Sequence, residues 1–93
     1  PTAESEIKGL ASIDLGPDLT GSNPNPAKGY PIVTFTWILL YKTGNGENLK
    51  SLQTAFDYVL SDKAQLQAPE LGYVSLPPAV VNKAKIAVAS IQK

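Results

Sequence analysis

The chain has no histidine, no cysteine, no methionine and no arginine in 93 residues. Each absence closes off chemistry. Without His, the commonest transition-metal ligand and the usual general base near neutral pH are gone. Without Cys there is no disulfide and no thiolate, a condition that suits any compartment. Ser-His and Cys-His nucleophile pairs and HExxH zinc sites are excluded. Basic and acidic residues balance at 8 each, and all the basic ones are Lys. Nucleic acid is therefore not an expected partner, because phosphate contacts dominate that affinity. No apolar stretch approaches the roughly 20 residues of a membrane span, and no basic-then-apolar segment opens the chain. A chain that begins with Pro and contains no Met reads as a processed protein, a truncated piece or part of a longer polypeptide.

What remains is an ordinary globular composition, 43% hydrophobic, enough for one small domain of marginal stability. Its most informative feature is the run 29–42, which is uncharged up to Lys42 and rich in β-branched and aromatic residues. It reads as one long strand, apolar on both faces. Pro31 lies at its start, where a missing N–H is tolerated.

Around it, 2–13 reads as a helix capped by Thr2, with Glu4 and Glu6 favouring its positive end. Ile7, Leu10 and Ala11 form a thin apolar stripe, which Gly9 interrupts. Residues 14–29 hold three Pro and three Gly in sixteen and read as a loop. Thr43-Gly44-Asn45-Gly46 is a turn signal. From 47 to 61 the period becomes helical, with Leu49, Leu52, Phe56, Val59 and Leu60 in one stripe. Residues 62–67 extend that helix or begin another, and Pro69 ends it. An extended connector, 71–77, leads to a last helix from Pro78, with Val80, Val81, Ala84, Ala87, Val88 and Ile91 as its apolar face. The expected order is helix, long loop, one long strand, then two or three helices. Two segments follow, 1–29 as helix and loop, and 30–93 as strand plus helices. A lone strand leaves backbone groups unpaired, so this one needs another chain, another segment or a second copy.

Candidate chemistry is thin. Asp14 and Asp18 flank Gly16-Pro17 but lack calcium-loop spacing and read as a solvated turn. Glu47 suits a helix start. Thr34 and Thr36 share a face and read as strand fillers rather than anion ligands. Trp37 reads as a buried core aromatic alongside Phe35 and Val33. The Gly44–Glu47 turn lacks the Lys-Ser/Thr of a phosphate loop. Lys83 and Lys85 fall on different sides of the last helix. No catalytic, ligand-binding or metal residue is assigned, and no cofactor is expected.

Two stretches acquire meaning together: Tyr30-Pro31-Ile32-Val33-Thr34-Phe35-Thr36-Trp37-Ile38-Leu39, and Leu71-Gly72-Tyr73-Val74-Ser75-Leu76-Pro77-Pro78-Ala79-Val80-Val81. A helix with Leu52, Phe56 and Tyr58 lies between them. In this order they resemble the C-terminal end of the phosphate-binding subunit of the Pst-type ABC transporter. The resemblance covers 30–91. It implies an α/β chain, the C-terminal part of a two-lobed periplasmic-binding-protein-like (type II) fold. It implies a periplasmic (or secreted or cell-surface) parent that binds inorganic phosphate and delivers it to the transporter's membrane subunits. The family's anion-binding residues map onto nothing here, so the chain would be a structural part. The alternative from the residues alone is a protein-interaction module that assembles through its exposed strand. An enzyme is not expected.

Overall fold

Residues 1–21 and 28–93 are described by a computed structural model. Among them are four α-helices: α1 (Ala3–Ala11), α2 (Leu49–Val59), α3 (Asp62–Gln67) and α4 (Pro78–Ser90). Short 3-10 turns at Gly46–Asn48 and Ala68–Leu71 lead into α2 and out of α3.

The α/β expectation, and with it the type II two-lobed architecture, does not hold. Among the described residues there is no strand and no sheet. The long run is present, but 33–41 is neither helix, turn nor bend and has no ladder. The reason is topological. Only one segment of the chain is strongly β-favouring, and a strand is defined by its neighbour. The helices, in contrast, satisfy their own backbones.

Local chemistry explains each helix. Thr2 caps α1 through a reciprocal pair: Ser5 N–H donates to Thr2 Oγ1 at 3.1 Å, and Thr2 N–H donates to Ser5 Oγ at 3.0 Å. Glu4 and Lys8 form an exposed i,i+4 ion pair at 3.2 Å. Gly9 has a packing reason, since a Cβ there would lie 2.2 Å from the Tyr30 carbonyl oxygen. The run thus crosses α1 at a point that only glycine permits. The long helical stretch after Gly46 is divided at Ser61, whose extended backbone and Oγ, accepting from Ala64 N–H at 3.3 Å, start α3 as a separate helix. Gly72, at φ 85°, closes the following 3-10 turn in the left-handed conformation. Pro78 opens α4 at its first helical position.

The core is small. Leu10, Ile13, Leu15 and Val80 form its buried centre, with Val33, Phe35, Val74 and Leu76 packed against it. Leu60, Val88 and Ile91 are buried as well. Five of the six residues assigned to the apolar face of α4 lie on or next to the helix's buried stripe, and the sixth, Ile91, is buried just beyond its end. The segment 14–29, read as loop only, departs from expectation at Leu15, which is buried, and at Leu19, which has φ 66°. The prolines and asparagines of 22–27 lie outside the described residues. No described helix is long and apolar enough to cross a membrane.

Candidate interaction site: the run 32–41

The run leaves α1 covered and becomes bare along its length. Val33 and Phe35 rest on the core. Beyond them, Trp37 is 44% exposed, Ile38 65%, Leu39 93% and Tyr41 78%, and Ile32 before them is 78% exposed. In an extended chain successive side chains point to opposite faces. Exposure at Trp37, Ile38 and Leu39 in succession therefore means that neither face is covered there. Trp37 was expected in the core, and this corrects it. Its ring stays edge-on to Phe35, with centroids 6.1 Å apart at 67°, and its indole N–H donates to the Leu19 carbonyl at 2.8 Å. With one edge on Phe35 and its N–H held by the half-buried Leu19, the ring bridges core and solvent.

The far end of the run is clamped. The buried Asn45 donates from Nδ2 to the Tyr41 carbonyl at 2.9 Å and to the Gln92 carbonyl at 2.7 Å. Gln92 N–H donates to the Lys42 carbonyl at 2.8 Å, and Gly44 N–H donates to the Lys93 carbonyl at 2.9 Å. The turn signal at Gly44–Gly46 is therefore also an anchor for the C-terminal residues. Asn45 was not singled out from sequence. A turn Asn is commonplace, and only tertiary placement gives its amide two carbonyl partners. Between the α1 crossing and this clamp, Thr34, Thr36, Ile38 and Leu40 make no backbone hydrogen bond among the described residues.

Other candidates carry no chemistry. The Asp18 carboxylate accepts from Thr20 Oγ1 at 2.6 Å and from Thr20 N–H at 3.1 Å. Those two bonds, the hydroxyl first, hold its pKa below 3.8. This is a self-contained turn, with Asp14 exposed beside it. Thr34 and Thr36 are exposed, and the Thr34 hydroxyl donates to the adjacent Phe35 carbonyl at 3.4 Å. Glu47 sits in the 3-10 turn before α2. A shallow cavity of about 280 Å³ is lined by Leu15, Gly16, Pro17, Lys83 and Ile86. Its one charge, the Lys83 ammonium, is engaged with the Leu15 carbonyl at 2.9 Å. No group of three acidic residues that could hold a metal ion occurs among the described residues. The chain matches no protein-family model and no curated protein sequence.

Proposed function

We propose that this chain is a structural part of a high-affinity phosphate-binding protein that delivers inorganic phosphate to an ABC transporter across the periplasm. On this reading the anion site belongs to another part of that protein. The observation that carries this reading is the order and spacing of the Tyr30–Leu39 and Leu71–Val81 stretches described above. Isothermal titration calorimetry tests it in two arms. The 93-residue chain alone should show no micromolar binding of inorganic phosphate, and the product of the complete reading frame should bind it tightly. Micromolar binding by the chain alone, or none by the complete product, would overturn the reading.

A second reading is a protein-interaction module, and one specific observation favours it. The run 32–41 presents bare apolar side chains and open backbone groups together, the combination used when a strand is added to a partner. Amide exchange of 36–40 should be fast in the isolated monomer and slow in a complex. Slow exchange in a strict monomer would remove the basis for this reading.

A further inference from the structure

On one face of the run Val33 and Phe35 are partly buried against the core while Trp37 and Leu39 are bare, and the two pairs are complementary. We propose that residues 32–40 pair antiparallel with the same residues of a second copy, about a two-fold axis through Thr36. The proposal rests on the interaction-module reading and names its partner.

In this register Leu39 lies opposite Val33 of the second copy, and Trp37 lies opposite Phe35 of the second copy. Directly opposed residues in an antiparallel pair project from the same face. Val33 and Phe35 face the core of their own chain. The bare pair of each run is therefore set beside the covered pair of the other, and Leu39 and Trp37 gain an apolar neighbour on the core side. The opposite face pairs Ile38 with Thr34 and Leu40 with Ile32. The ladder runs through the N–H and C=O groups of Ile32, Thr34, Thr36, Ile38 and Leu40, which make no backbone hydrogen bond among the described residues.

Charge agrees with this arrangement. From Gly29 to Tyr41 there is no ionisable side chain except the tyrosine phenols, so the whole overlap is neutral. Lys42 meets Tyr30 at the end of the ribbon, beyond the paired residues. The contact is isologous and closes on itself, so it yields a dimer rather than a filament. An isolated two-stranded ribbon is marginal in water. Here each strand brings its own core to one side of the ribbon, which supplies the support that a free hairpin lacks.

Sedimentation equilibrium of the full chain should show a concentration-dependent dimer. Leu39→Asp should weaken it roughly a hundredfold, because the change occurs twice per dimer and each lost burial is worth about tenfold. Since the chain has no cysteine, one introduced thiol reports register. Thr36→Cys places the two thiols across the axis, with Cα atoms about 5.5 Å apart, within disulfide reach. Position 32 is exposed as well, but the two copies of Ile32→Cys lie about 27 Å apart along the ribbon. Rapid oxidation of Thr36→Cys to a covalent dimer, with Ile32→Cys remaining reduced, is the expected result. Equal oxidation of both, or a dimer unmoved by Leu39→Asp, would overturn the pairing. A monomer up to millimolar concentration would also overturn it. In that case the interaction-module reading survives only if the amides of 36–40 exchange fast.

Discussion

The run 32–41 carries eight Val, Ile, Leu and aromatic side chains and helix α4 only four, yet it is the helix whose apolar stripe is covered. α4 buries Val80 and Val88 and completes its stripe with Val81, Ala84 and Ala87. The run leaves Leu39 almost wholly in solvent. The difference lies in the backbone. A helix closes its own hydrogen bonds and needs only one apolar neighbour. A strand must find a second strand before its faces are worth covering. This chain supplies three more helices and no second strand among the described residues.

The contrast is sharpest at the core side. Leu10 is buried at the centre of the cluster on which Val33 and Phe35 rest. Leu10→Ala should cost about 2–5 kcal/mol, enough to unfold much of so small a domain at room temperature, as thermal melting by circular dichroism would show. Next comes the clamp. Asn45→Ala removes the buried amide that donates to the Tyr41 and Gln92 carbonyls and should cost about 1–3 kcal/mol, read by urea unfolding. Its nuclear magnetic resonance spectrum should show Gln92 and Lys93 released before the helices melt. A loss equal for clamp and core would mean that the run's two ends are one cooperative unit.

On the bare side the expected effect nearly vanishes. Leu39→Ser, measured dilute enough for the monomer, should change stability by less than about 0.5 kcal/mol. A cost near that of Leu10→Ala would show that Leu39 is covered in solution and would break the comparison. The smallest effect is electrostatic and local. The Asp18 pKa is depressed by Thr20, so the bonds it accepts are intact above 3.8 and are lost as pH falls through the lower folded value. The Thr20 amide resonance should titrate with a midpoint below 3.8, and Thr20→Ala should return the midpoint toward that value.

The helices were the legible part of this sequence. Thr2, Ser61 and Pro78 all stand at helix starts, although whether Ser61 divided one helix or prolonged it was open until its cap bond was seen. The apolar face of α4 could be read from Val80 to Val88, while Ile91, assigned to the same face, lies just past the helix end. Gly9 read as a weakness in α1, and the structure makes it a requirement, because the Tyr30 carbonyl lies where a side chain would be. Leu15 stood among Pro and Gly signals that imply surface, yet it is in the core. Trp37 was assigned to the interior by its size and position, but its indole is held at the edge by the Leu19 carbonyl, eighteen residues away. Each of these misses concerns a contact between segments remote in sequence. Of the interaction site, the run itself and its lack of a neighbour were readable. Which residues are bare was not.

By itself, the sequence determined the starts of α1 and α4, most of the helical stripes (Val59 of the α2 stripe is exposed), the neutral β-favouring run and the absence of His, Cys and Arg chemistry. These follow from local periodicity, capping and side-chain type, which act within a few residues. Only the tertiary structure decided that the run has no sheet to join among the described residues, that Val33 and Phe35 pack against the cluster of Leu10 and Val80, and that Asn45 ties its end to Gln92. Those outcomes depend on which distant segments meet, and burial and hydrogen-bond pairing between them are not encoded in any short window of the chain.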